Sequence, residues 1–437
     1  MKNKRILNIT IILSIVLFLF TGTYSVKANT RSLEGEYALK QLVVLSRHNI
    51  RAPLSTKGSV LDSATPHTWF EWSANASELS LRGGLLETAM GQYFRKWLEK
   101  EELIPENYRP QNEEVRFYSN AKQRTIATSR YFLSGFLPVS DLEIITKADY
   151  DTMDPVFTPQ FTFLSDTYID DAKKQMEALI PDLSKEYQLL TEVIDFKDSD
   201  AYKNKEVNDL VNGDTELVFE NLKEPNMKGS LKTATSLADA LVLQYYESPD
   251  EKAAAFNHEL SLEDWISLSR IKDVYGDVLF TAPIVSVNVA HPLLEEIDSE
   301  MKNKQRLFSF LCGHDSNIGS VLAALDVKEY TLPEAIETKT PIGSKLCFEK
   351  WEKDNEQFVR VRLVYDSVDK LRNISIHDLN NEPVSYQLEF KGLNPNEDGL
   401  YKYDDFINHL ENAIKQYDVL LNKYNASPVI IPKTGIE

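Results

Sequence analysis

Cysteine is scarce in this sequence: Cys312 and Cys347 are the only two among 437 residues. Two cysteines and seven scattered histidines do not show the ligand spacing of a zinc site, and we expect neither a metal nor another cofactor. Both cysteines lie in apolar runs that resemble sheet strands. The sequence therefore permits either a disulfide bond between them or two buried thiols.

Positive charge is also in short supply. The chain has 48 Lys and Arg residues against 67 Asp and Glu residues, and its formal net charge is −19. Such a surface repels nucleic acids and anionic membranes, so we exclude both as partners. Apolar residues are plentiful, since 42% of the chain is hydrophobic and 10% is aromatic. A chain of this composition can bury a substantial core without metals or disulfides.

Residues 1–28 have the pattern of a secretory signal peptide. Lys2, Lys4 and Arg5 precede a largely apolar run at 6–20, and Val26-Lys27-Ala28 places a small residue at the expected cleavage position. The apolar run is short for a membrane span across ~30 Å of hydrocarbon. We therefore expect cleavage near Ala28 and an exported protein, periplasmic or extracellular, without stable membrane association. The sequence is compatible with a homodimer.

The first part of the expected mature chain alternates strands and helices. Apolar runs predict strands and apolar residues at helical spacing predict helices, in the order strand 39–46, helix 84–103, strand 115–119 and helix 121–136. This order favours a parallel sheet covered by helices. Strand-like runs return at 307–312, 345–351 and 358–364.

The segment from 150 to 277 has a different character. It is charged and mostly helical in pattern, with predicted helices at 167–179, 183–193, 231–246 and 262–271. We therefore predict an α/β fold with a mainly parallel central sheet flanked by helices. Residues 29–149 and 278–437 form the α/β catalytic domain, and 150–277 form a smaller, inserted α-helical lid domain.

The most informative motif follows the first predicted strand. The buried run 42–45 ends in Ser46-Arg47-His48-Asn49-Ile50-Arg51, so one loop receives two guanidinium groups and an imidazole. Arginine presents a rigid fork of donors to phosphate oxygens. A neutral imidazole can attack phosphorus and carry the phosphoryl group. The sequence therefore predicts a phosphate site with His48 as nucleophile.

Two further segments supply matching groups. Strand 307–312 is followed at once by His314 and Asp315, and ligand-binding groups collect at the carboxyl ends of strands in α/β sheets. Arg124 stands where strand 115–119 gives way to a helix. We expect Arg47, Arg51, Arg124 and His314 to bind phosphate.

Together these segments resemble the histidine acid phosphatases, a branch of the phosphoglycerate-mutase-like histidine phosphatase superfamily. The family pattern is Arg-His-Gly-x-Arg-x-Pro early and His-Asp late, with another arginine between them. This chain has Asn49 where most members have glycine, which resembles the bacterial glucose-1-phosphatases of this branch. Four further stretches resemble the same enzymes: 57–61, 152–155, 236–240 and 340–343.

The resemblance implies an exported acid phosphomonoesterase that forms a phosphohistidine on His48, with Asp315 as general acid and then base. Such an enzyme requires no metal, because the arginines supply the positive charge. Leu54 and Glu224 are the expected substrate-binding residues, and they favour a small sugar phosphate such as glucose 1-phosphate. A phytase or broad acid phosphatase is the alternative within the class. A non-catalytic sugar-phosphate-binding protein is the alternative outside it.

Overall fold

The computed structural model describes residues 33, 35–54, 59–206 and 215–429. The signal peptide predicted at 1–28 lies outside the described residues, as do residues 57 and 58 of the stretch 57–61.

Most described strands belong to one central sheet. The strands are β1 (Ala38–Arg47), β2 (Val115–Ser119), β3 (Ile144–Ile145), β4 (Glu216–Val218), β5 (Asn226–Lys228), β6 (Phe308–Gly313), β7 (Lys345–Lys353), β8 (Glu356–Tyr365), β9 (Val384–Gln387) and β10 (Tyr401–Lys402). Eight of them pair in the order β10-β8-β7-β1-β6-β2-β3, with β9 also on β8, while β4 and β5 form a separate hairpin. In the central sheet β1, β2, β3, β6 and β8 run in one direction. The predicted α/β class with a mostly parallel sheet is confirmed.

Helices flank the sheet and fill the segment between β3 and β6. They are α1 (Val60–Ser63), α2 (Leu81–Lys100), α3 (Gln123–Phe136), α4 (Asp166–Glu177), α5 (Ser184–Val193), α6 (Asp200–Lys203), α7 (Ser230–Glu247), α8 (Glu251–Ala254), α9 (Leu262–Phe280), α10 (Pro283–Lys302), α11 (Asp315–Ala324), α12 (Val368–Asn373) and α13 (Tyr403–Lys423). No single helix in the described ranges is long and apolar enough to cross a membrane. Helices α9 and α10 pass that test only as a pair, and they meet at a bend of 83°.

The central strands are buried on both faces. Residues 42–45 of β1 are fully buried, as expected for a strand covered by helices on each side. Phenylalanines from β2, β6 and α3 pack on one face, where the rings of Phe132 and Phe310 stack 4.3 Å apart. Helices α10, α11 and α13 cover the other face. The sheet is therefore the middle layer of a helix–sheet–helix arrangement.

The segment at 150–277 shares its core with the rest of the chain. Its buried apolar residues cluster with Ile50, Leu86, Val285 and Ile342, which lie outside it. Helix α9 continues to Phe280, so the boundary predicted at 277 falls inside a helix. This helix ties the helical region directly to the sheet domain.

The two cysteines are free thiols. Cys312 on β6 pairs with Ser46, and Cys347 on β7 pairs with Val44, so β1 separates them. Two strand spacings amount to roughly 9.5 Å, beyond the ~7 Å between Cα atoms that a disulfide spans. Burial raises the pKa of the Cys312 thiol to about 12. Of the two alternatives that the sequence permits, the structure has the buried thiols.

Candidate active site

Three neighbouring strands deliver the predicted site residues to one edge of the sheet. Strands β1, β6 and β2 run parallel, so their carboxyl ends meet, and Arg47 pairs with Gly313. The His48 amide donates a hydrogen bond to the Gly313 carbonyl at 3.1 Å. The Asn120 amide does the same to Cys312 at 2.9 Å. The loops that carry His48, His314 and Arg124 are therefore joined through the backbone.

The environment of His48 fixes which nitrogen carries hydrogen. Its Nδ1 lies 2.9 Å from the backbone carbonyl of Asn49, which can only accept a hydrogen bond. We therefore assign the hydrogen to Nδ1. The lone pair of Nε2 is left free. The ring is 3% exposed and lines the cavity described below.

His314 carries its hydrogen on the same nitrogen as His48 but presents that nitrogen, rather than Nε2, to the cavity. The side-chain oxygen of Asn120 accepts hydrogen bonds from the amides of Ala121 and Asp154, so its Nδ2 is the donor that lies 2.7 Å from Nε2 of His314. Nε2 of His314 is then an acceptor and the hydrogen belongs to Nδ1. Nδ1 lies 3.5 Å from Nη2 of Arg124. Two donors therefore flank the same point in the cavity.

Both histidines are held neutral. Their ring centres are 5.4 Å apart. Burial lowers the pKa of His48 well below its ordinary value, and the positive charge of Arg124 lowers it further. Burial and Arg124 also lower the pKa of His314. Neutral imidazoles suit one ring to act as a nucleophile and the other as an uncharged donor.

The three predicted arginines do not have equal access to the cavity. Arg51 and Arg124 line it, whereas Arg47 lies beneath the wall with 1% of its side chain exposed. Nη1 of Arg47 donates to Glu337 at 2.6 Å and to the carbonyl of Thr340 at 2.5 Å. Among the described residues, the buried Nε atoms of all three arginines lack a hydrogen-bond partner. Nη1 of Arg47 is thus committed to protein partners, and the role of Arg47 as a phosphate ligand stays a prediction.

Sequence reasoning missed the charged groups that surround Asp315. Nζ of Lys272 lies 3.0 Å from Oδ2 of Asp315 and 2.8 Å from Oε1 of Glu337, and Nη2 of Arg47 lies 3.4 Å from Asp315. Arg51 is held in turn by Asp239 at 3.0 Å. Lys272 stands on α9, and no spacing rule connects it with β6. Asp239 lies in the stretch 236–240 whose resemblance to the family was visible, but without an assigned role.

This network lowers the pKa values of two carboxyl groups, Asp315 and Glu337, below their ordinary range. Burial alone raises the pKa of Asp315, but Lys272 and Arg47 outweigh it and hold the pKa well below the usual value. Arg47 and Lys272 likewise overcome burial and lower the pKa of Glu337 to about 2. Asp315 is 35% exposed to the cavity, whereas Glu337 is 2% exposed beneath it. Both are carboxylates in the free protein.

A second buried network holds the loop after His48. Nδ2 of Asn49 donates to Glu87 at 2.9 Å, and Glu87 pairs with Lys345 at 2.8 Å, both fully buried. Gly343 has a φ of +69°, and a Cβ there would lie 2.6 Å from Asn49 Nδ2. Asn49, which stands where most members of the family have glycine, therefore packs against Thr340-Pro341-Ile342-Gly343. This stretch also resembles the bacterial glucose-1-phosphatases.

The predicted substrate residues open onto the same cavity. It has a volume of about 1270 Å³ and is lined by His48, Arg51, Leu54, Arg124, Glu224, His314 and Asp315 among others. Glu224 is exposed to this space from the loop before β5. Enclosure by the surrounding protein and the nearby Asp315 raise the pKa of Glu224 to about 7. Leu54 is 59% exposed at the mouth.

Two neutral histidines, two accessible arginines and a carboxylate surround one cavity at this edge of the sheet. This arrangement is typical of a histidine phosphatase. The chain belongs to the histidine phosphatase superfamily, branch 2, whose family model matches residues 38–366. It is accordingly a phosphomonoester hydrolase of this family.

Relatives of known name agree with this assignment. The chain is 36% identical to the glucose-1-phosphatase of Salmonella typhimurium over 386 residues, 87% of this chain and 93% of the relative. It is also 36% identical to the glucose-1-phosphatase of Providencia rettgeri over 392 residues, 88% and 94% of the two chains. The apo phytase of Hafnia alvei has the same fold, with a TM-score of 0.79 at 23% identity, covering 88% of this chain and 99% of that one.

Proposed function

We propose that this protein is an exported acid phosphomonoesterase that hydrolyses small organic phosphates, glucose 1-phosphate foremost, through a phosphohistidine on His48. The observation that best supports this mechanism is the hydrogen bond from Nδ1 of His48 to the Asn49 carbonyl. It leaves Nε2 unprotonated on the cavity wall, beside Arg51 and Arg124. A nucleophile in that state needs no general base for the first step.

In the first step, Nε2 of His48 forms a bond to phosphorus as the bond from phosphorus to the sugar oxygen breaks. Arg51, Arg124 and the Nδ1–H of His314 donate to the three non-bridging oxygens, whose charge redistributes during transfer. Asp315 gives its proton to the departing oxygen, so the sugar leaves as a neutral alcohol.

In the second step, water attacks the phosphohistidine. Asp315, now a carboxylate, accepts a proton from the water as its oxygen bonds to phosphorus. The bond between phosphorus and Nε2 breaks, and its electron pair returns to the ring. Inorganic phosphate leaves, Asp315 releases its proton to solvent in the free protein, and it takes up a proton again when the next substrate dianion binds.

The low pKa of Asp315 shapes the conditions for this cycle. Lys272 and Arg47 keep the group ionised in the free protein. A bound phosphate dianion brings negative charge close to Asp315 and therefore raises its pKa. An acidic medium increases the protonated fraction further. His48 stays unprotonated in the same medium, because burial and Arg124 lower its pKa.

Glu224 and Leu54 support the preference for a small substrate. Glu224, with a pKa raised to about 7, is largely neutral in acid and gains its charge toward neutral pH, where it repels a heavily phosphorylated ligand and tolerates a sugar monophosphate. The apolar Leu54 offers a surface to a sugar ring. The two glucose-1-phosphatase relatives, similar over nearly the whole chain, favour the same substrate class.

One observation favours phytase activity as the second candidate. Besides Lys272, five lysines line the cavity: Lys223, Lys232, Lys328, Lys339 and Lys391. Their charges and the volume of about 1270 Å³ suit a larger polyphosphate. The balance between these lysines and Glu224 decides the preference.

The test is phosphate release from glucose 1-phosphate and from phytate, in acidic buffer with a chelator. We expect faster release from glucose 1-phosphate, no effect of the chelator, and no release by His48→Ala. Near neutral pH, where Glu224 is partly ionised, Glu224→Gln should move the ratio of kcat/KM values toward phytate by up to roughly 10-fold, the scale of one lost charge repulsion, whereas in acidic buffer the ratio should change little. Glu220→Gln is the matched control, since Glu220 lines the same cavity.

Faster release from phytate by the wild-type protein would select the second candidate. An equal change of the ratio in both glutamine variants would remove Glu224 as the discriminating residue. Phosphate binding without any release would leave a binding protein.

A further inference from the structure

Three side chains from distant parts of the chain meet outside the active site. His67 follows α1, Asp195 follows α5, and His258 lies between α8 and α9. Oδ2 of Asp195 lies 2.7 Å from Nε2 of His67 and 3.2 Å from Nε2 of His258. Among the described residues that line the large cavity, none belongs to this cluster.

The cluster offers ligands that transition metals bind. Its two imidazole nitrogens and one carboxylate oxygen all lie within 4.8 Å of one another. In a tetrahedral site with bonds of about 2.0–2.1 Å, neighbouring ligand atoms are about 3.3 Å apart. The two separations from Asp195, 2.7 and 3.2 Å, therefore need to widen by roughly 0.1–0.6 Å, and the two imidazole nitrogens, which lie within 4.8 Å of each other, need to reach a similar spacing to admit an ion. Small side-chain rotations supply that movement.

The surrounding structure holds the ligands in place at a conformational cost. The ring of His67 stacks on Phe256 at a centroid distance of 4.7 Å. Asp195, Phe256 and Asn257 all have left-handed backbone conformations, with φ of 48°, 52° and 72°. A bulky residue such as phenylalanine rarely adopts this conformation. Strain of this kind concentrates where a fold positions groups for a ligand.

The cluster is accessible to an ion in solution. The side chains of His67, Asp195 and His258 are 31%, 37% and 35% exposed. His258 also lines a small cavity of about 210 Å³. Three protein ligands leave a fourth position for water.

We propose that His67, Asp195 and His258 bind one divalent transition-metal ion of the zinc type. Two imidazoles select such an ion over magnesium or calcium, which prefer oxygen ligands. No local spacing pattern predicts this metal site, because His67 and Asp195 are 128 positions apart and Asp195 and His258 are 63 positions apart. The ion connects the loop before α2 with the helical region at 150–277. Its effect is to stabilise this junction, with no part in catalysis.

The experiment is a titration of the full chain with Zn²⁺ by isothermal titration calorimetry, after treatment with a chelator and dialysis. We compare the wild-type protein with His67→Ala and Asp195→Asn. Asp195→Asn keeps the size of the side chain and removes the anionic ligand. His409→Ala is the control, because His409 is a partly buried histidine that contacts the Leu325 carbonyl instead. A cooperative thermal unfolding transition checks that each variant is folded, independently of phosphatase activity.

We expect one Zn²⁺ per chain in the wild-type protein and in His409→Ala, with a raised unfolding temperature. Affinity should fall by roughly 10-fold or more in folded His67→Ala and Asp195→Asn, with loss of the zinc-dependent stabilisation. Absence of zinc binding in the wild-type protein would overturn the proposal. Undiminished binding in both cluster variants would also overturn it, since the ion would then be held elsewhere, for example by the active-site histidines.

Discussion

At the scale of the residue, the position of one hydrogen decides what His48 can do. The Asn49 carbonyl holds Nδ1–H, so Nε2 faces the cavity as a free base. His314, one strand away, is turned by Asn120 so that its Nδ1–H faces the cavity instead. Two identical side chains thus receive opposite roles, acceptor and donor, from backbone and amide partners that the motifs themselves do not reveal.

Lys272 should control the pH dependence through Asp315. Replacing it with methionine, as Lys272→Met, removes the nearest cation from the Asp315 carboxylate and raises its pKa. The basic limb of the kcat profile should therefore move to higher pH, because Asp315 stays protonated further up the scale. The measurement is the pH dependence of kcat and KM for glucose 1-phosphate.

Lys328→Met is the matched control for this shift. Lys328 lines the same cavity but pairs with Glu389 at 2.7 Å, away from Asp315. Its profile should coincide with that of the wild-type protein. A basic limb that stays in place in Lys272→Met, or a wild-type optimum above neutral pH, would contradict the role of Asp315 as the acid.

Sequence could predict that His48, His314 and Asp315 meet at one site, because each follows a locally recognisable strand. The runs before His48 and His314 are apolar and short, so their position at one sheet edge follows from general rules for α/β folds. The partners of these residues could not be predicted in the same way. Lys272 and Glu337 reach the site from a helix and a loop that no local pattern connects with β1 or β6. For the same reason, the sequence names Arg47 as a phosphate ligand without revealing that its side chain is buried behind the cavity wall.

At the scale of the element, the pairing of the strands fixes where the loops lie, and the loops carry the residues of the site. Most predicted helices and strands agree with the structure to within a few residues, for example β2 at 115–119 and α3 at 123–136. The sequence pattern predicts no helix at α10, α11 or α13, nor at the short helices α1, α6, α8 and α12. Pro292 interrupts the helical pattern of α10, although the tertiary packing of that helix tolerates it. Helix α9 extends nine residues beyond the end predicted at 271, which carries Lys272 into the site.

The loop before β7 should be sensitive to a single methyl group. Gly343→Ala places a Cβ 2.6 Å from Nδ2 of Asn49 and strains a backbone with φ of +69°. We expect a loss of roughly 1–2 kcal/mol in unfolding free energy, and a fall in kcat because the displaced Asn49 no longer fixes the His48 ring. Chemical denaturation and steady-state kinetics give the two quantities.

Gly392→Ala separates the two effects. Gly392 has a similar φ of +77°, but a Cβ there meets nothing within 4 Å. It should lose comparable stability through backbone strain and keep its kcat. Equal kcat values in the two variants would show that the contact with Asn49 does not position His48.

At the scale of the whole molecule, an acidic protein surrounds a local positive site. The net charge is −19 for the full sequence, yet Arg51, Arg124 and Lys272 gather at one cavity with Arg47 beneath it. The buried carboxylate Glu337 compensates Arg47 and Lys272 from below. Such an arrangement admits a phosphate anion at one place without attracting polyanions to the surface as a whole.

Acid should destabilise the protein partly through Glu337. Its pKa falls to about 2 in the folded protein, so its ion pairs contribute stability above the unfolded value near 4.5, which is lost as pH falls toward 2. This contribution is on the order of 3 kcal/mol. Glu337→Gln should therefore lower the unfolding temperature near neutral pH, and the difference from the wild-type protein should shrink in acid. A difference that stays constant with pH would contradict this assignment.

The proposed mechanism requires a covalent phosphohistidine on His48. The direct measurement is mass spectrometry of the protein after rapid mixing with glucose 1-phosphate and quenching in alkali. We predict one added phosphoryl group on the peptide that contains His48 during turnover, and none in His48→Ala. Rapid hydrolysis with no phosphorylated peptide, or a phosphoryl group on another residue, would contradict the account.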